Sequence, residues 1–373
     1  MFSSVISSFE PLIIGSSLLG FILFTIDIKK STAVINFWNF LSIFSTIVIN
    51  LIIICYLWNF KIFNEIMITE IGKASMPFMM DIDHFLFIFI FIWNFLKRHK
   101  IVKFFKLLAE IDEDLTKFGL KFDYKRQQKF LTFVIICIII VTPLMIVFGS
   151  IVQANLGINF GYAIILIVLW LFFLGLIYIT FFTTSMKNIG IRFEMLNFTL
   201  EHHQNLSLSK VHLKVVETVK IFNNIFGIPM MLCFGNLFAF NCLTAFSFAM
   251  MPKEFFGFGV IASMIFNFSF TSGSLFLIIN TADKTGKAKE NLIEILYKMA
   301  NENDKNYEKI QNFVMQAKDL SVEFSCGFFD FNWKMLFKFI SAGVMYFIIL
   351  LQFEPVFKSS KNYEFVNFNN SSY

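Results

Sequence analysis

The sequence predicts an all-α polytopic membrane protein: seven transmembrane helices, N-terminus cytoplasmic, C-terminus extracellular, with cytoplasmic helical extensions. Three observations predict it. Of 373 residues, 57% are hydrophobic and 15% charged, and a water-soluble globule of this size could not cover so much apolar area with so few charges. Seven apolar runs, at 36–58, 76–96, 130–152, 160–186, 229–250, 258–282 and 335–353, are long enough to cross a hydrocarbon core of ~30 Å. The segments between them alternate in basic content. Residues 1–35, 97–129, 187–228 and 283–334 carry 25 of the 31 Lys and Arg. Residues 59–75, 153–159, 251–257 and 354–373 carry 5, and Lys338 lies in the last run. Basic residues stay on the cytoplasmic side, which orients the chain.

Five regions follow: a cytoplasmic N-terminal segment (1–35), a six-helix transmembrane region (36–282), cytoplasmic helices (283–334), a seventh membrane helix (335–353) and an extracellular tail (354–373). The N-terminal segment starts polar and then runs apolar from Pro11 to Ile28. Gly15, Ser16, Ser17, Gly20, Thr25 and Asp27 dilute that run and Lys29-Lys30 follow it. It reads as a helix packed at the cytoplasmic face; the alternative is an eighth span, which would bring both termini to one side. No cleaved signal-peptide pattern precedes it. Pro77 and Pro229 fall at the starts of spans two and five, where a missing N–H costs little. Pro143 interrupts span three and predicts a kink.

The basic connections are long and helical in pattern. From Lys97 to Gly119, the residues Ile101, Phe104, Phe105, Leu108, Ile111 and Leu115 recur at three- and four-residue steps, and Gly119 is the expected stop. Residues 187–227 and 287–325 read as amphipathic extensions of the spans. Such faces require lipid headgroups, each other or another subunit. The connections between spans three and four and between five and six leave no room for an extracellular binding domain. The tail is expected to be irregular after Glu354-Pro355. It carries glycosylation acceptor patterns at Asn369 and Asn370; those at Asn197 and Asn205 fall on the cytoplasmic side.

Enzyme chemistry is not expected. The five cysteines are scattered without a Cys-x-x-Cys pair, so neither a metal site nor a disulfide scaffold is indicated. His202, His203 and His212 lack ligand spacing and read as a solvated cytoplasmic face. No phosphate loop, dinucleotide fingerprint or nucleophile elbow occurs. No cofactor, metal or nucleic-acid partner is expected.

Polar residues inside the spans are the better lead, because each is costly in hydrocarbon and usually faces protein or water. They are Asp81, Asp83 and His84 in span two, Thr142 and Ser150 in span three, and Tyr162 and Trp170 in span four. Span five adds Asn241 and Thr244; span six adds Ser263, Asn267 and Ser269. Two readings stand: a small polar-aromatic pocket open to the outside, or helix-to-helix pairing.

The last helix organises the rest. After Lys338 come about fifteen uncharged residues, roughly 22 Å of helix. Ser341, Met345, Ile348 and Gln352 fall on one narrow arc, and Tyr346 lies about 120° from Gln352. Either Gln352 marks the membrane–water boundary, or its arc faces a central axis while Tyr346 faces neighbouring helices.

The stretch Tyr346-Phe-Ile-Ile-Leu-Leu-Gln352-Phe353 resembles the terminal-helix signature of the insect gustatory receptor family, which is related to the insect odorant receptors: Thr-Tyr, five hydrophobics, Gln-Phe. Met345 stands where that signature has Thr. The preceding Phe324-Ser-Cys-Gly327-Phe328-Phe-Asp330 resembles the family's lead-in, and Pro11-Leu12 with Leu19-Gly20-Phe21 matches its pre-span pattern. The likeness extends over nearly the whole layout.

The resemblance implies a ligand-gated, non-selective cation channel that detects small-molecule tastants. It implies a homo- or heterotetramer with other gustatory receptor subunits, sited in the plasma membrane of a sensory neuron dendrite. The seventh helices would line one pore, with Gln352 and Phe353 near the outer gate and Ile348, Met345 and Ser341 below. The cytoplasmic helices, including roughly 287–334, would anchor the subunits. The ligand pocket would draw on Asp83, His84, Tyr162, Trp170, Asn241, Thr244 and Asn267. Few carboxylates there point away from sugars, towards bitter or other small organic ligands. Membrane lipid and permeant cations are the remaining partners. The competing classes are a seven-helix G-protein-coupled chemoreceptor, which needs the opposite orientation; a secondary transporter, which needs inverted repeats; and a non-conducting subunit that needs a co-receptor.

Overall fold

The computed structural model describes residues 1–18, 24–27, 30, 32–35, 37–59, 70–156, 161–250, 258–302, 306–320 and 323–370. Among them the helices are α1 (Phe2–Leu18), α2 (Phe37–Asn59), α3 (Glu70–Leu96), α4 (Arg98–Thr116), α5 (Tyr124–Leu156), α6 (Gly161–His203), α7 (Leu208–Ala249), α8 (Phe258–Glu302), α9 (Tyr307–Asp319) and α10 (Trp333–Asn370). A two-stranded antiparallel ribbon, β1 (Thr25–Asp27) and β2 (Thr32–Val34), pairs Thr25 with Val34 and Asp27 with Thr32. Among the described residues the regular structure is therefore helical apart from that ribbon and an isolated bridge between Ser325 and Asp330. The described part of each of the seven apolar runs lies within one helix, except that Met250 follows the end of its helix. Three stretches of the described residues, within Phe78–Leu96, Leu208–Ala249 and Trp333–Phe353, are long and apolar enough to cross a membrane.

The N-terminal expectation needs correcting. The helix starts at Phe2, in the stretch read as polar, and Thr25–Asp27 is strand. Val5, Phe9 and Leu12 are fully buried; their four- and three-residue spacing puts them on one helix face. Phe9 meets Phe105 of α4 edge-on at 5.1 Å and Phe181 of α6 at 6.4 Å. Downstream, the Asp27 carboxylate accepts the Lys30 N–H at 3.1 Å, a local side-chain-to-backbone bond that competes with continued helix.

The long helices do not stop where the apolar runs stop. Once nucleated, each added residue gains a backbone hydrogen bond, and the amphipathic continuations are packed on one another. All six apolar residues predicted to share the face of α4 are buried, and Gly119 has φ +83°, the left-handed geometry that ends helices. Helices α6 and α8 run alongside each other: a Cβ on Gly190 would lie 2.7 Å from Thr285 Oγ1, and Asn197 Nδ2 donates to Ala288 O at 2.6 Å.

Because α3 begins at Glu70 and α7 at Leu208, Pro77 and Pro229 lie inside helices rather than in first turns. A proline at 229 leaves the carbonyl four residues earlier, Ile225 O, without its helical donor. The Trp93 indole of α3 donates to that oxygen at 2.7 Å. The seventh apolar run also continues past its expected end. Helix α10 passes through Pro355 and runs to Asn370, contrary to the irregular tail expected after 354. A proline removes one hydrogen bond and bends a helix without necessarily ending it.

The buried core is a quilt of phenylalanines. Phe222 of α7 contacts Phe104 of α4 at 6.2 Å, Phe182 of α6 at 5.1 Å and Phe324 at 5.1 Å. A charged knot sits at its edge. Asp112 of α4 receives Arg192 Nη2 of α6 at 2.5 Å and the Tyr124 hydroxyl of α5 at 2.6 Å. Both charges are almost fully enclosed, with the guanidinium 4.4 Å from the Phe122 ring centroid. Burial, followed by the hydrogen bond to Asp112, pushes the Tyr124 hydroxyl well above its ordinary range. His212, expected on a solvated face, is fully buried between Phe193 and Phe313; His202 and His203 are exposed.

Candidate functional site

Two parts of the molecule carry the candidate residues: the turn and helix at the C-terminal end, and the polar positions inside α3, α7 and α8.

The turn before α10 is built by its own sequence. Phe331 N–H donates to Phe324 O at 2.8 Å and Cys326 N–H to Phe329 O at 3.1 Å, closing a hairpin. At its tip Gly327 adopts φ +91°, a conformation that excludes most other residues. Phe324, Cys326 and Phe331 are buried, while Phe328 is 80% exposed. Asn223 of α7 clamps the turn from outside: its Nδ2 donates to Glu323 O at 2.8 Å and its Oδ1 accepts Ser325 N–H at 3.1 Å. Gly227, one helical turn on, lets the turn lie against α7, since a Cβ there would sit 3.1 Å from Cys326 Cα. The clamped turn thus sets the position from which α10 departs.

Helix α10 is two-faced. Phe339 packs edge-on against Phe238 of α7 at 4.8 Å, Tyr346 meets the same ring at 5.8 Å, and Cys242 Sγ lies 3.8 Å from Gly343 O. The opposite arc holds Ser341, Met345, Ile348 and Gln352, all exposed on the isolated chain; Phe353, on the side of Tyr346, is exposed too. The Ser341 hydroxyl donates back to Phe337 O at 2.9 Å. The Tyr346 ring meets Phe238 of α7, yet Tyr346 is 54% exposed, as Ile348 is at 47% on the other arc.

The structure distributes the intramembrane polar residues unevenly. Asn236 Nδ2 of α7 donates to Asp83 Oδ1 of α3, and Thr271 Oγ1 of α8 donates to Asn241 Oδ1 of α7 at 2.9 Å. Both are bonds between helices. His84 is fully buried, its Nδ1 2.7 Å from Met80 O of its own helix. The Thr244 hydroxyl is enclosed with no partner among the described residues. Asp81 is buried and Ser269 exposed. The side chains of Tyr162, Trp170 and Asn267, and those of Thr142, Pro143, Ser150 and Ser263, lie outside the described residues. Sequence reasoning passed over Asn236 and Thr271. Asn236 carries the same signal as Asn241, a polar side chain within an apolar run, but its role requires knowing that Asp83 stands opposite.

No group of three or more His, Cys, Asp or Glu able to hold a metal ion occurs among the described residues. What the arrangement can do is mechanical: α10 is fixed at one end by the clamped turn and touches α7 along one face, and the arc of Ser341, Met345, Ile348 and Gln352 is exposed.

A family model described as 7tm chemosensory receptor matches residues 9–357. No curated protein sequence matches the chain. Among solved structures, the insect olfactory receptor OR5 from Machilis hrabei aligns with a TM-score of 0.68 at 15% identity, covering 92% of this chain and 97% of that one. The same receptor in complex with eugenol aligns with a TM-score of 0.63 at 14% identity, covering 94% and 99%.

Proposed function

This chain belongs to the 7tm chemosensory receptor family, and from that premise we propose that it is a gustatory receptor: a ligand-gated, non-selective cation channel opened by small-molecule tastants. The observation that carries the reading is the two-faced α10. One side is held against α7 through Phe339, Gly343 and Tyr346. The other presents Ser341, Met345, Ile348 and Gln352, all exposed on the isolated chain.

Four copies arranged about an axis would turn those stripes inward. A ring of Gln352 side chains would offer carbonyl oxygens to a partly dehydrated cation, and the Ile348 and Met345 rings would close the path by dewetting. The terminal-helix signature supports the gustatory branch. A small organic ligand is supported by the eugenol complex of a receptor with this fold. Asp83, His84, Asn241 and Thr244 are the described pocket candidates, and binding opens the pore only to the extent that the ligand prefers the open state. The orientation, N-terminus inside and C-terminus outside, rests on the distribution of Lys and Arg; the seven spans rest on the seven apolar runs, and placement in the plasma membrane on the family likeness.

Current recorded from cells expressing the chain, across a ligand panel, tests this. Gln352→Ala is expected to alter conductance or ion selectivity at unchanged surface expression. A ligand-evoked current indifferent to Gln352→Ala removes that residue from the pore.

A further inference from the structure

Helices α4 and α7 run antiparallel and meet in a ladder of charges. At the end farthest from the apolar runs, Lys214 Nζ lies 2.8 Å from Asp114 Oδ2 and 3.6 Å from Glu110 Oε2. The next rung pairs Lys103 Nζ with Glu217 Oε1 at 2.6 Å. The last rung breaks the pattern. Lys97 and Lys100 both bring their ammonium groups to one neutral acceptor, Asn224 Oδ1, at 3.1 and 2.7 Å. Neither lysine has an ion pair with a carboxylate among the described residues. Lys220, exposed and one helical turn from Asn224 on α7, adds a third positive charge.

Two ammonium groups on a single amide oxygen repel each other, and an amide dipole offsets only part of that repulsion. Every other rung contains an anion. The missing one is at a particular depth. Lys97 Nζ lies 4.6 Å from the ring centroid of Trp93, and Trp93 closes the apolar run of Phe78–Leu96, the level at which tryptophans meet lipid headgroups.

We propose that Lys97 and Lys100, gathered on Asn224, form a binding site for the phosphate of an anionic phospholipid headgroup on the Lys- and Arg-rich side of the membrane. A headgroup phosphate supplies two charged acceptor oxygens to the exposed Lys100 and the half-buried Lys97, and the bilayer holds it at that depth. Each basic residue near an anionic surface strengthens such binding. The site adjoins Asn223, which clamps the turn leading to α10. It exists whether or not the chain conducts.

The test is native mass spectrometry of the purified full chain titrated with phosphatidylinositol bisphosphate, with phosphatidylcholine as the neutral comparison. The Lys97→Gln/Lys100→Gln variant is expected to bind the anionic lipid about thirtyfold more weakly, while Lys106→Gln, an exposed lysine off the ladder, is expected to bind as the parent does. Asn224→Asp keeps every lysine and supplies the missing anion internally; it is expected to lose the lipid and to unfold at higher temperature in neutral lipid. Should the double variant fail to fold, Asn224→Asp decides alone. Undiminished lipid binding by these variants, or an equal loss in Lys106→Gln, overturns the site. A soluble inositol phosphate that binds as tightly as the lipid, with the same dependence on Lys97 and Lys100, overturns the lipid assignment.

Discussion

His212 is held by packing and one hydrogen-bonding neighbour. Its Nδ1 lies 3.1 Å from Gln316 Nε2, which also donates to Ser209 O at 3.1 Å, and Phe193 and Phe313 cover its ring. Burial, followed by the nearby Lys289 charge, pulls the imidazole from its ordinary 6.5 down to about 4. Sign follows from linkage: the unfolded chain takes the proton first as pH falls, so stability is lost between about pH 6.5 and 4. Asp114 titrates in a different window. Burial raises its pKa, but the contacts with Lys117 and Lys214 outweigh burial and lower it below 3.8, so its contribution is retained above that pH and lost beneath it. The expected outcome is that the melting temperature of the purified protein declines from pH 6.5 to 4 and that His212→Asn flattens that decline. An unchanged slope in the variant shows that other groups set the acid limb.

At the scale of one element, α7 shows how a membrane helix accommodates a proline. Pro229 removes the donor to Ile225 O, and Trp93 of α3 supplies one. Leaving a buried carbonyl unpaired costs about 1–3 kcal/mol, so Trp93→Phe is expected to lower stability by that order. In a Pro229→Ala background the restored N–H reclaims the carbonyl, and Trp93→Phe is expected to cost measurably less. Thermal unfolding of the four proteins gives the coupling directly; strictly additive effects would mean that the indole and the proline act independently. The composition of α4 made its buried face readable in advance, because six apolar residues at helical spacing need no partner to be identified. The start of α7 was not readable in the same way. Its apolar run begins at Pro229, and residues 187–227 read as one helical extension; the structure divides that stretch, ending α6 at His203 and starting α7 at Leu208, with Val211, Val215, Val216 and Val219 buried.

Across the whole molecule, the alternation of basic segments makes a directional prediction. Epitope tags placed at each terminus should show, in intact cells, a hidden N-terminus and an accessible C-terminus. The reverse pattern would overturn the orientation and with it the channel reading, since a G-protein-coupled architecture needs the N-terminus outside. Of the candidate site, the α10 stripe was legible because helical periodicity alone places Ser341, Met345, Ile348 and Gln352 on one arc. The pocket candidates were less so. A polar residue in an apolar run announces that it needs a partner without saying which, and Asp83 met Asn236 and Asn241 met Thr271.

The sequence by itself determined the helical, membrane-embedded class, the runs from which the long helices grow and the stop at Gly119, because hydrophobic burial, charge asymmetry and backbone dihedral preference are properties of residues and their immediate neighbours. Tertiary structure decided the N-terminal helix from Phe2, the burial of His212, the donor found for Ile225 and the clamp on the turn before α10. Each of those depends on a side chain or carbonyl more than a hundred residues away being brought within contact distance, and no local pattern in the chain encodes such a meeting.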